Sequence, residues 1–348
     1  MSDYSRAKQV VLKTPQDKTD LNYYQRGFTL IELMVALVLG LLISAAVIQV
    51  YFVSTKTSVI QSAGSNIVDA NIFGIQSIEE KIKLANLGLA SNVTGSAMYG
   101  GVVVNTDKNL NGVKIDPNLA VSSALVTRNG GDTVGTGNQW TGISNTNKVS
   151  DQLTIQYRAP QDTFDCEGQL ALGPRAVDIG GVSTIIDGQI IIERYFLRDF
   201  QGKLALACDA GRYINETMDN YTQQGDAAKA ITVFTAPNKI KKFGDAGQVL
   251  ISNVDDFQVL LGVMTATGIR YVTSTFYTDT ANNLINLPIV SIKVGLIARG
   301  SIAMPGTEEG KNVFNILGQT TTIKAIESKK VIRRSYESHI MLRNARVL

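Results

Sequence analysis

From Phe28 to Val53 the only charged side chain is Glu32, and the next charge is Lys56. A helix rises about 1.5 Å per residue, so this run is long enough to cross a hydrocarbon core of about 30 Å. A carboxylate inside such a span costs about 2.5–3.5 kcal/mol on insertion scales, which marks Glu32 as a functional position that needs a partner. A cut after Gly27 would create one. Phe28 would then carry a free α-amine, largely protonated at neutral pH. Residues 28 and 32 lie one helical turn apart, so amine and carboxylate share a face and can pair within the chain or with a neighbouring helix. Plainer readings account for less. A secretory signal peptide has a shorter apolar region of about 7–15 residues and would not carry Glu32. A simple single-span anchor leaves the carboxylate beyond a glycine unexplained, and a buried soluble helix is rarely apolar for so long.

Arg26-Gly27 before Phe28-Thr29-Leu30-Ile31-Glu32 resembles the leader junction of type IV prepilins and type II secretion pseudopilins. The resemblance implies cleavage after Gly27 by a prepilin peptidase of the inner membrane and N-methylation of Phe28. Glu32 is then the assembly residue. The leader, residues 1–27, holds Arg6, Lys8, Lys13, Lys18 and Arg26 against Asp3, Asp17 and Asp20. A basic-leaning segment of that kind stays cytoplasmic and sends the C-terminal part across the membrane. The chain's net charge of +3 gives no nucleic-acid footprint. Its two cysteines, Cys166 and Cys208, fit one disulfide in an exported domain, the alternative being two buried thiols.

Beyond Val53, apolar residues at Ile60, Ile67, Ile78, Ile82 and Leu89 recur at helical spacing, an amphipathic pattern. No proline falls between Pro15 and Pro117. One continuous helix is expected from about Phe28 to about Leu89, with its membrane half over 28–53. Gly64 and Gly74 weaken it by about 1 kcal/mol each at most, and close packing is their expected role. The remainder, 90–348, is expected to be a periplasmic β-rich domain. Asp107, Asn109 and Asn111 followed by Gly112 form the first half of a calcium loop, but position twelve is Asn118 instead of a glutamate, so a turn is the better reading. Strands are expected at Leu153–Tyr157, Gln189–Arg198, Lys203–Cys208, Gln248–Ser252, Phe257–Val263, Ile269–Phe276, Ile289–Ala298 and Val331–Leu342. Asp255-Asp256 reads as a strand entry, His339 as a half-exposed strand residue, and Lys239 to Gly247 as a solvated basic turn. Arg333, Arg334, Arg343 and Arg346 read as solvated edge charges.

The stretch Val254 to Val263, Tyr271-Val272, Val290 to Val294 and the ending Leu342-Arg343-Asn344 are similar to minor pilins of the PilW family. Asp165-Cys166-Glu167-Gly168 and Leu206-Ala207-Cys208 match that family's cysteine motifs, whereas Leu261 replaces its more usual aromatic residue. The fold expected is α+β, a long N-terminal helix packed on a mostly antiparallel sheet domain, a pilin-like lollipop. The resemblance implies a minor pilin that joins other minor pilins near the filament tip after residence in the inner membrane. A type II secretion minor pseudopilin and a membrane-anchored periplasmic binding protein are the alternatives. No nucleophile elbow, phosphate loop or zinc-protease motif occurs, and no enzyme, cofactor or metal is expected.

Overall fold

The computed structural model describes residues 27–89, 100–110, 114–116, 119–179, 182–214, 240, 242–303, 310–325, 330–343 and 345. Two compact units divide between Thr55 and Lys56. The first is the apolar part of a helix, α1, that runs over Leu30–Lys83. Within it, Leu30–Ser62 is long and apolar enough to cross a membrane and has no buried residue.

The second unit contains two four-stranded antiparallel sheets. One holds β1 (Gln152–Arg158), β2 (Ile190–Phe200), β3 (Lys203–Tyr213) and β4 (Gln248–Ser252) in the order β4-β3-β2-β1. The other holds β5 (Val254–Thr265), β6 (Gly268–Val272), β7 (Ile289–Ala303) and β8 (Val331–Met341) in the order β6-β5-β7-β8. The turn between β2 and β3 places Gln201 and Gly202 at positive φ, the two-residue hairpin geometry whose twist suits flanking strands.

The polar half of α1 buries Ile67, Ile78 and Ile82 in one core with residues of both sheets, among them Ile155, Tyr195, Phe257 and Ile292. Gly74 allows the close approach of helix and sheet, since a Cβ there would lie 2.3 Å from Ile251 Cγ1 on β4. A Cβ at Gly64 would meet nothing, so the expected close packing is found at one glycine only. The α-helix stops at Lys83, and turns carry the chain to Gly88 at positive φ.

The first sheet is also covered on its second face. Val103, Leu110, Leu125 and Val126 pack there against Ile190, Ile192 and Tyr213. This explains why all of β1 is buried, although its sequence alternates apolar and polar. The polar residues serve the irregular segment above them: Gln152 Nε2 donates to the Val126 carbonyl, Thr154 Oγ1 to that of Leu125 and Gln156 Nε2 to that of Gly100. Buried loop backbone needs such partners.

Several strand boundaries differ from expectation, among them the end of β7, which continues to Ala303. β3 runs five residues past Cys208, because Asp209 to Tyr213 continue the ladder with Arg194 to Ile190 of β2. β6 stops at Val272, where Thr273 Oγ1 accepts the Phe276 N–H and caps a short helix, Ser274–Thr278. β5 starts at Val254, and a register shift at Val254/Asp256 lets two adjacent carboxylates both turn inward.

Candidate functional site

The first unit holds the expected processing and assembly residues. Gly27 and Phe28 precede the helix, and Phe28 is 85% exposed. Thr29 and Glu32 cap its first turn reciprocally. Glu32 N–H donates to Thr29 Oγ1 at 3.3 Å, and the Thr29 N–H and hydroxyl both reach Glu32 Oε2 at 3.4 Å. This is a capping box, Thr-x-x-Glu, which satisfies donors that a helix start leaves open. The Thr-x-x-Glu spacing is visible in the sequence, where an apolar span that needs a counter-charge hides its local capping role. Glu32 therefore has a partner inside its own chain before any cut is made. A cut after Gly27 would add a positive amine one residue before that cap.

In the second unit Cys166 and Cys208 form a disulfide, with Cα atoms 6.2 Å apart. The bridge anchors a loop around a buried carboxylate, Glu193 of β2. Glu193 accepts the Cys166 N–H at 2.9 Å, the Tyr195 hydroxyl at 2.7 Å and the Tyr157 hydroxyl at 3.1 Å. Lys81 of α1 lies 3.7 Å away and donates to the Phe164 carbonyl in the same loop. Burial pushes the Glu193 carboxyl up, and the Lys81 charge opposes that. Helix, sheet and disulfide loop thus meet on one acid. Its neighbour Arg194 is fully buried and holds Asp209 through Nε at 2.9 Å and Nη2 at 2.6 Å. The sequence signal for both was a charged pair inside the apolar strand Ile-Ile-Ile-Glu-Arg-Tyr-Phe.

Asp255 and Asp256 are both buried. Asp255 pairs with Arg333 Nε at 2.7 Å and Arg299 Nε at 3.4 Å. Arg333 is consequently no solvated edge charge: the expectation fails because β8 turns it inward to neutralise a core carboxylate. Arg334 and Arg343 are exposed as expected, and Arg346 lies outside the described residues. Asp256 accepts from Thr146, Gln258 and the Phe257 N–H, while burial raises its carboxyl to about 6. His339 is exposed on β8, with Nε2 against the Tyr271 hydroxyl. The basic turn is partly internal, since Ile240 and Phe243 are buried, while Lys239 and Lys241 lie outside the described residues.

Residues Thr106–Asn109 of the half-loop considered for calcium form a short helix capped by Asn105. The Asn109 oxygen accepts the Val104 and Asn105 N–H groups at 2.9 Å, so it already serves the backbone. Asn111 lies outside the described residues. Elsewhere Glu167, Asp209 and Asp245 bring carboxylate oxygens within 4.8 Å of one another. An ion there would compete with the Arg194 guanidinium for Asp209.

A Thr-x-x-Glu cap opens a membrane-length apolar helix, and antiparallel sheets follow it, a pilin-like α+β arrangement. Residues 22–48 match the family described as prokaryotic N-terminal methylation motif. Residues 220–344 match the family described as Type IV Pilus-assembly protein W. The two matches stand on one chain, the methylation motif at its start and the PilW model over its C-terminal third. Among solved structures it is similar to "Type IV-like pilin TTHA1219 from Thermus thermophilus", at 12% identity over 56% of this chain and 78% of that one, with a TM-score of 0.27. At that score the likeness carries no argument. No curated protein matches the chain.

Proposed function

We propose that this chain is a minor pilin, a non-enzymatic subunit processed after Gly27 and incorporated with other minor pilins at the start of a type IV pilus. The observation that carries this reading is the methylation motif over 22–48 on the same chain as the PilW match over 220–344. In this reading residues 1–27 are a leader, 28–53 anchor the subunit in the inner membrane, and the domain after about residue 89 lies in the periplasm until the filament takes it up near its tip. Cleavage would leave a charged Phe28 amine beside the helix cap. In a bundle of such helices the Glu32 carboxylate can meet that amine on the next subunit by axial offset. Its charge then sets register, as polar groups in apolar interfaces do.

The cap and the charge are separable. Glu32→Gln keeps an acceptor for the Thr29 N–H, since glutamine serves in capping boxes, but removes the charge. Glu32→Val removes both, and Thr29→Ala removes the hydroxyl half of the cap and leaves the charge. Co-purification and crosslinking with other minor pilins should fall in Glu32→Gln and Glu32→Val and persist in Thr29→Ala, while all three still insert and lose the leader. Wild-type association of Glu32→Gln would show that the charge has no part in assembly.

A further inference from the structure

A cavity of about 280 Å³ opens where the segment 129–151 crosses β5 and the tip of the hairpin formed by Val313–Ile316 and Gln319–Thr322. Its walls include Asn129, Gly131, Lys148, Asp151 and Gln258. Asp151 is only 3% exposed, and its side chain makes one hydrogen bond, Oδ2 accepting the Val259 N–H at 2.7 Å. Among the described residues its other oxygen has no hydrogen-bond partner. A carboxylate has room for about four bonds, and a buried one ordinarily finds a cation or several donors. The charges that act on it are instead the like charges of Asp256 and Asp132. Asp132 is itself taken up by Arg128, and Asp256 by uncharged donors. Lys148 is the cation on the cavity wall and makes no ion pair with Asp151 among the described residues.

We propose that this cavity is a docking pocket for the ammonium group of a lysine side chain presented by another polypeptide, with Asp151 as its anchor. The partner's identity as a fellow subunit rests on the reading of the chain as a pilin; the binding chemistry does not. A pocket near the lower limit of small-ligand cavities suits one extended aliphatic side chain. Its methylenes would run along Val149 and Leu260, which also line the cavity, and its head would supply the donors Asp151 lacks. A monovalent ammonium is favoured over a divalent ion because Lys148 stands on the same wall. Burial and the two like charges hold the empty Asp151 carboxyl well above its usual range, so proton and ammonium compete for it. The charged and titratable groups facing it are Asp132 and Lys148 from its own segment and Asp256 from β5. The lining residues of the hairpin, Ile316, Leu317 and Gln319, carry no charge.

The lone tryptophan reports on the pocket, since Trp140 Nε1 donates to the carbonyl of Ser150, next to Asp151. The full-length protein in detergent is titrated with Nα-acetyl-lysine N-methylamide, and Trp140 fluorescence is followed. The expected result is a saturable change, stronger at about pH 8 than at about pH 5, and weakened about tenfold or more in Asp151→Asn. Lys148→Met, which leaves the anchor and its packing in place, should bind at least as tightly as wild type. No saturable change in wild type would overturn the proposal, as would equal binding by Asp151→Asn. Binding that appears only in Lys148→Met would mean that Lys148 fills the place itself, and the proposal falls. Calcium chloride saturating the same signal more tightly would make the site a metal site, and tighter binding of n-butylammonium would make the ligand a free amine. Either result would remove the partner side chain from the pocket.

Discussion

Arg194 sits at 0% side-chain exposure against Asp209, with its guanidinium 3.9 Å over the Phe196 ring. A buried pair is strongly destabilised when one member is removed, because the other charge is left without compensation. Arg194→Leu should therefore cost about 3–5 kcal/mol in denaturant unfolding, and Arg194→Leu with Asp209→Asn should recover part of the loss. The unpaired acids act through pH instead. Asp256 at about 6 and Glu167 at about 7 are raised first of all by burial. A carboxyl whose folded value is raised binds more protons in the native state than in the unfolded chain. Its contribution is complete below the unfolded value and lost as pH rises through the folded one. The second unit should accordingly melt at a higher temperature at pH 5 than at pH 8. Asp256→Asn should flatten that slope and gain on the order of 2 kcal/mol over wild type at pH 8. An unchanged slope in this variant would remove Asp256 from the balance.

At the scale of elements, the two glycines of α1 separate cleanly. Gly74→Leu forces a side chain into Ile251 and should destabilise by about 1–3 kcal/mol or more. Gly64→Ala has open space around it and should be neutral or stabilising by up to about 1 kcal/mol. Thermal unfolding of the two variants checks both. Replacing Cys166 and Cys208 by serine opens a crosslink that spans 42 positions; chain entropy assigns it about 4 kcal/mol, less any strain. Reduction should also expose Glu193, whose bond from the Cys166 N–H depends on the loop. Much of this element level was legible in the sequence. The apolar run, the glutamate in it and the strands expected at Ile289–Ala298 and Val331–Leu342 follow from local pattern, although the first of these strands continues to Ala303. β1 was legible as a strand but not as a buried one, because alternation looks the same whether water or a polar-lined loop covers the second face. The strand end at Val272 was missed because Thr273 caps a helix too short for periodicity to register. Arg333 was misread for a different reason. Its acid, Asp255, lies 78 positions earlier, and no local pattern joins the two.

For the whole molecule, the Thr29–Glu32 cap was written in four consecutive residues, whereas the Asp151 cavity was not written anywhere locally. It arises from four segments that only the fold brings together. Processing is the property that links the first unit to the proposed role. Mass spectrometry of protein purified from cells should show a chain that begins at Phe28 and carries one added methyl group. A chain that retains residues 1–27 would remove the prepilin reading and favour a plain anchor. The packing of α1 has a consequence in time. Glu79 of that helix accepts a hydrogen bond from Ser338, which follows it by 259 positions. Synthesis at about 5–20 residues per second separates the two by roughly 13–50 s. Through that interval the stripe of Ile67, Ile78 and Ile82 has emerged while the sheets that cover it are still incomplete. A newborn chain must therefore keep a greasy helix face occupied by something other than its own domain. Slower translation near the C-terminus would lengthen that exposure without changing one contact of the finished protein.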